Sequence, residues 1–319
     1  MAADQFRVAS LCRYARFADS LSTMEEFAGP RWARRSWVRL MILAGTMLGV
    51  DGLLQWLMSL VTHSAAVTTI VGLAGAVVAV VVYVWVVRLL ERRRPVAEVS
   101  PRGAVTDVAI GLLLGAVLMS AVVGTIAAAG HYRVVGLGSV AGAIALLGMT
   151  CSIAVAEELI FRAVLFRIIE RWIGTWLALA VSALIFGLVH LANPGATLFG
   201  ALAIAVEAGV LLGAAYALTR TIWFAVGIHL AWNFMEGGVF STTVSGTQNG
   251  FQGLLRSELT GPDLLTGGGF GPEASLVAMA VGVVTAVVLL WLTVRRGRIM
   301  RLPTRSSTVP STAEDQAIA

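Results

Sequence analysis

The sequence predicts an all-α fold: a polytopic membrane helix bundle of about eight transmembrane helices with both termini cytoplasmic. Three observations predict it. The 319 residues are 58% hydrophobic, with a mean hydropathy of +0.85, whereas soluble domains run about 45–50% apolar even with glycine counted. Charged residues make up only 13%, about half the usual ~25%. Long apolar runs recur, and the arginines between them fall in alternate connections.

A helix needs about 20 apolar residues to cross ~30 Å of hydrocarbon. Eight runs meet or approach that length: roughly 40–61, 67–90, 106–129, 138–165, 175–192, 196–218, 221–240 and 274–294. The fourth exceeds the need and is expected to tilt or to extend past the bilayer. The fifth is short. Gly111/Gly115, Gly138/Gly142 and Gly209/Gly213 are small-residue pairs at four-residue spacing, which permits close helix approach. The organisation expected is a cytoplasmic segment over 1–39, a membrane domain over 40–294 with a motif-bearing core at about 140–240, and a disordered Ser/Thr-rich tail over 295–319. The glycine-rich connection 241–273 is expected to be mobile.

The chain has no lysine, so all 23 basic residues are arginines. Arg31, Arg34, Arg35 and Arg39 precede the first span, and Arg88, Arg92, Arg93, Arg94 and Arg102 lie at the join of the second and third. Arg167 and Arg171 follow the fourth, Arg220 the sixth, and Arg295, Arg296, Arg298, Arg301 and Arg305 the eighth. The opposite connections hold Arg133 and Arg256. Basic residues concentrate on the cytoplasmic side of membrane proteins, so this alternation sets the orientation and supports an even span count. A net charge of +5 therefore reflects topology and an anionic leaflet, and nucleic acid is not a partner. Cys12 lies in the N-terminal segment and Cys151 in an apolar span, so a disulfide between them is not expected. The first 30 residues have no continuous apolar core of the kind a secretory signal peptide needs.

Ionisable groups inside spans are costly and face a bundle interior or a wet cavity. Three spans contain them in short motifs. Span four has Glu157-Glu158-Leu159-Ile160-Phe161-Arg162. Glu158 and Arg162 are four apart, on one helix face and in the favourable order of acid before base. Glu157 points about 100° away and lacks that partner. Span five ends in Phe186-Gly187-Leu188-Val189-His190, and span seven holds His229-Leu230-Ala231-Trp232-Asn233. His229 and Asn233 share a face and offer two hydrogen-bond donors, which suits an oxyanion hole. A glutamate and a histidine from two other helices suit activation of a water by general acid–base chemistry. Together these are the parts of a hydrolase with no serine or cysteine nucleophile. Glu207 in span six is a further intramembrane acid that could line the cavity or find a basic partner. Asp51 and Gln55, four apart, are expected to satisfy each other or a neighbouring helix, and Glu236 is read as structural.

The three motifs resemble those of the CAAX prenyl protease and bacteriocin-processing family (CPBP, or Abi), which includes the type II CAAX prenyl endopeptidases. Its members carry Glu-Glu-x-x-x-Arg, Phe-x-x-x-His and His-x-x-x-Asn or Asp on separate helices of an eight-helix membrane bundle. Glu157, Glu158 and Arg162 match the first motif, Phe186 and His190 the second, and His229 and Asn233 the third. The resemblance implies an intramembrane endopeptidase whose substrate is a peptide or membrane protein, prenylated or CAAX-like, in the lipid bilayer. By the resemblance Glu157 is the general base and His190 assists it. His229 and Asn233 hold the oxyanion, Glu158 and Arg162 brace the site, and Phe186 forms pocket wall.

Two alternatives stay open at the level of sequence. The reading favoured is free of cofactor and metal, but Glu157, His190 and His229 could hold a catalytic zinc with a place left for water. No His-Glu-x-x-His motif supports this. Intramembrane Glu and His also build proton relays in transporters, although no internal repeat of the transporter kind is present. Composition, rich in arginine, alanine, valine and glycine, suggests a multi-pass protein of a bacterial plasma membrane. Oligomeric state, substrate and the side to which the site opens are not legible.

Overall fold

The computed structural model describes residues 35–61, 64–248 and 250–302. The described residues form ten α-helices, numbered in chain order. Three long apolar helices come first: α1 (Ser36–Val61), α2 (Ala65–Leu90) and α3 (Ala104–Ala128). A strand, β1 (Tyr132–Leu137), leads to α4 (Val140–Glu158). Then come α5 (Arg167–Val189), α6 (Leu198–Ile204), α7 (Val210–Thr219) and α8 (Trp223–Asn233). Strand β2 (Leu255–Leu259), the short α9 (Asp263–Thr266) and α10 (Leu276–Arg295) close the described chain.

Six helical stretches among the described residues are long and apolar enough to cross a membrane. One of them, Val140–Ala192, runs for 53 residues. At 1.5 Å per residue it would measure ~80 Å, far beyond a ~30 Å hydrocarbon layer. It is broken at Gly174, whose φ of 74° and ψ of 170° leave the helical region, a conformation open to glycine at little steric cost. The stretch is therefore two crossings. Another crossing is α8 with its π-helical continuation Phe234–Val239, whose regular α-helical part is too short to register alone. With these the bundle has the eight spans expected.

Three differences from the sequence expectation have physical causes. First, the fold is not purely helical, because β1 and β2 form an antiparallel ribbon with Tyr132 opposite Leu259. The two strands are more than a hundred residues apart in sequence, so no local hairpin signal announces them. Second, the connection 241–273, expected to be mobile, is built into the bundle. Val244, Thr266, Phe270 and Glu273 are buried. The Gly246 N–H donates to Phe270 O at 2.7 Å, and the Leu254 N–H to Gly238 O at 2.8 Å. Glycines let this backbone close on the helix ends: Gly253 lies where a Cβ would strike the carbonyl of Gly237. Third, the start of the tail is not loose. The Met300 N–H donates to Thr175 Oγ1 at 2.8 Å and the Thr175 N–H to Met300 O at 3.0 Å. Residues 1–34, with Cys12, and 303–319 lie outside the described residues.

Glycine contacts set the helix crossings that carry the site. A Cβ on Gly227 of α8 would meet Gly111 Cα of α3 at 2.9 Å, so backbone touches backbone there. Gly115 sits equally close to Ile228, next to His229. Gly209 faces Ala183 of α5. The pair Gly138/Gly142 instead abuts the backbone of Gln252 and Gly253 in the outer connection.

The arginine-bearing end of the bundle is tied by buried ions. Arg167 reaches both oxygens of Glu91, each at 3.0 Å, and Glu98 at 3.1 Å. Arg93 bridges Glu91 and Glu98 at 2.6 Å each, and the Tyr83 hydroxyl donates to Glu98 at 2.6 Å. Burial pushes both carboxyls up, but Arg167 and then Arg93 outweigh it and hold Glu91 and Glu98 at about 2.

Candidate active site

All eight site residues named from the sequence occupy one region of the bundle, and their side chains divide into three layers. The deepest is an ion-pair hub. Glu158 is fully buried, and its Oε1 accepts from Arg162 Nη1 at 3.0 Å and from His229 Nδ1 at 3.0 Å. Arg162 is also fully buried. Its guanidinium stacks 4.4 Å from the centroid of the Phe186 ring, and Nη2 approaches the Gly209 carbonyl at 3.4 Å. Phe186 in turn meets Phe161 edge to face at 4.9 Å and lies beside His190 and His229. The expected pairing of Glu158 with Arg162 is present. The sequence did not disclose that the same carboxylate also fixes His229, since α4 and α8 meet only in the tertiary fold.

The second layer faces a cavity of about 550 Å³, within the ~300–1,000 Å³ usual for ligand pockets. Glu157, His190 and Asn233 line it, with Phe161 as wall. Glu157 differs from its neighbour in the way the helix geometry requires. Its side chain keeps 17% exposure where Glu158 has none. Its Oε2 has no hydrogen-bond partner and lies 3.8 Å from His229 Nε2. His190 sits at the end of α5, with Nδ1 2.7 Å from the Phe186 carbonyl. A carbonyl only accepts, so Nδ1 carries the proton and, in the neutral ring, Nε2 is left with its lone pair.

The third layer lies behind the histidines. A void of about 20 Å³, the size of about one water, is lined by His190, His229, Asn233, Glu207 and Glu273. Glu207 is buried and neither of its oxygens has a hydrogen-bond partner. It thus lines a cavity, though not the large one, and its charged neighbour is an acid rather than a base. Glu236 is buried, and its Oε1 accepts from the Glu273 N–H at 3.2 Å. Burial pushes the Glu273 carboxyl up. Glu273 and Ser245 escaped the sequence reading because they belong to a connection that carries no membrane-depth signal.

Local structure explains how these side chains are presented. Three π-helical segments, Leu159–Phe166, Ala205–Gly209 and Phe234–Val239, hold or directly follow the site residues. A π turn displaces side chains from the regular helical face, and such segments concentrate at functional sites. Asp51 and Gln55 bond each other at 2.7 Å as expected, and both also line the large cavity, which the sequence did not reveal.

Among the described residues, no group of three His, Cys, Asp or Glu side chains converges in a way that would hold a metal ion. Glu157, His190 and His229 do not form such a group in this geometry.

No curated protein and no solved structure matches the chain. A family model does: type II CAAX prenyl endopeptidase Rce1-like, over residues 139–235. That interval contains all eight of the site residues. The match covers 97 of the 319 residues and makes this segment of a multi-pass membrane protein, with the three motifs it spans, similar to the Rce1-like CAAX proteases.

Proposed function

We propose that the protein is an intramembrane endopeptidase in which Glu157 activates the attacking water. The observation that carries this reading is the contrast between the paired acids. Glu158 is committed to Arg162 and His229, whereas Glu157 lines a cavity together with His190 and Asn233, and its buried Oε2 has no hydrogen-bond partner. Water held between Glu157 and His190 Nε2 gives up a proton to the carboxylate as its oxygen bonds to the substrate carbonyl carbon. The developing oxyanion takes a hydrogen bond from the Asn233 amide. It takes a second from His229 Nε2 when that ring holds both protons, with Glu158 as counter-charge. Collapse breaks the C–N bond, and the proton on Glu157 passes to the leaving amine. The products are a carboxylate and an amine, and no covalent enzyme intermediate forms.

The test uses purified protein and a proteome-derived peptide library. Glu157→Gln should lower cleavage by roughly 10²–10⁴-fold while thermal unfolding is unchanged, and cleavage by the unaltered protein should persist in strong chelator. Full activity of the Glu157→Gln protein would remove the reading. Loss in chelator with recovery on adding zinc would transfer it to the zinc-dependent alternative.

A further inference from the structure

The large cavity has a direction and a charge, and both bear on what can enter it. It follows α1 from Leu48 to Ser59, near the Val61 end of that helix. The eleven helical steps between them correspond to ~16 Å, so the cavity extends from mid-bundle to one end. Its lining residues beyond the helices, among them Asn193, Val244, Thr247 and Gln248, all belong to the connections at that end. The connections at the other end contribute none. That other end is where Arg92, Arg93, Arg94, Arg102, Arg220 and Arg296 lie, so by the basic-residue bias it faces the cytoplasm. The cavity mouth is therefore on the opposite face. Gln248 at the mouth is exposed, and the Asn193 side chain is tied to Ser245 O at 2.6 Å. Along the wall the charged groups are carboxylates, Asp51 and Glu157, and no arginine is among the described lining residues.

A substrate whose free C-terminal carboxylate sat next to the scissile bond would bring a third negative group beside these two, and no arginine among the described residues lines the cavity to receive it. Like charges brought together across an interface are strongly disfavoured. A CAAX-like tail, with its carboxylate three residues past the cysteine and on the cytoplasmic side, fits this cavity poorly. From its direction and its charge we infer that the site takes internal segments of polypeptide presented from the non-cytoplasmic face of the membrane, neutral or basic around the scissile bond. The inference rests on the peptidase reading above and narrows its substrate class.

Two measurements decide it, one of them independent of activity. In a background with both cysteines replaced by serine, Gln248→Cys and Gln55→Cys are treated in intact bacterial cells with a membrane-impermeant maleimide. Both should label without permeabilisation, while Arg296→Cys should label only after it. Labelling in the reverse pattern overturns the inference and leaves the peptidase reading standing. The second measurement maps cuts in the peptide library with free and with amidated C-termini. Glu157-dependent cuts should lie away from the C-terminus, and yields should change by no more than about twofold on amidation. A peptide cut three residues from a free C-terminus should be at least about tenfold poorer than its amidated form. Cuts concentrated next to free C-termini and lost on amidation overturn the inference alone. A library with no Glu157-dependent cut overturns the peptidase reading and the substrate class with it.

Discussion

The two glutamates at 157 and 158 are adjacent in sequence and opposite in circumstance. A 100° step around the helix puts one carboxylate into a hub with an arginine and a histidine, and the other onto a cavity wall. The hub is a buried ion pair, and its loss has an asymmetric cost. Removing one partner leaves an uncompensated charge in a fully buried site, at about 3–5 kcal/mol. Arg162→Met should therefore lower the unfolding stability by that order and displace His229, whereas Arg162→Met combined with Glu158→Gln should recover much of the stability. Denaturation of the single and double variants in detergent checks this. Equal loss in both would mean that Glu158 is not what Arg162 neutralises. Phe186, read from sequence as wall, has a definite partner in this arrangement: its ring face receives the Arg162 guanidinium.

At the scale of elements, the site depends on how closely helices cross. Gly227 of α8 meets Gly111 of α3 backbone to backbone, two residues before His229. A methyl group there strikes main chain, which cannot rotate away as a side chain can. Gly227→Ala should cost about 1–3 kcal/mol and reduce peptide cleavage by moving His229 and Asn233 together. The outcome is read from the unfolding midpoint and from kcat/KM measured side by side, and an unchanged pair of values would show that α8 has room to shift. The π segments add the second positioning device. Arg162 reaches across to carbonyls of one of them. Hydropathy does not mark a π turn, because the segment remains apolar and helical, so these were invisible before the fold was known.

For the whole molecule, the arginine-rich end acts as a clamp. Glu91 and Glu98 are held at about 2 against an ordinary 4.5. A carboxyl whose folded value is depressed contributes stability that is fully present above its unfolded value and is lost as pH falls through the folded one. The thermal midpoint should thus hold down to about pH 4.5 and fall between there and about pH 2. Arg167→Met removes the cation that serves both acids and should flatten that fall while lowering the midpoint at neutral pH. Thermal unfolding of both proteins across the pH range tests it, and an equally steep acid limb in the variant would count against the clamp. The opposite end holds the cavity mouth and only Arg133 and Arg256, so the polarity of the molecule in charge is also its polarity in access.

The sequence by itself determined the membrane bundle and the span count, and it singled out the candidate site residues. Hydropathy over 20-residue runs is a property of composition, and ionisable residues stand out against an apolar background. It also separated Glu157 from Glu158, since helical spacing alone divides their faces. Tertiary structure decided what spacing along one helix does not contain. It brought His229 to Glu158, put Glu207 beside Glu273 instead of a base, folded the connection 241–273 onto the helix ends, paired β1 with β2, and gave the cavity its direction. Each of these is a contact between segments distant in sequence. Such contacts follow from which glycines let two backbones meet and which buried carboxylates find a partner.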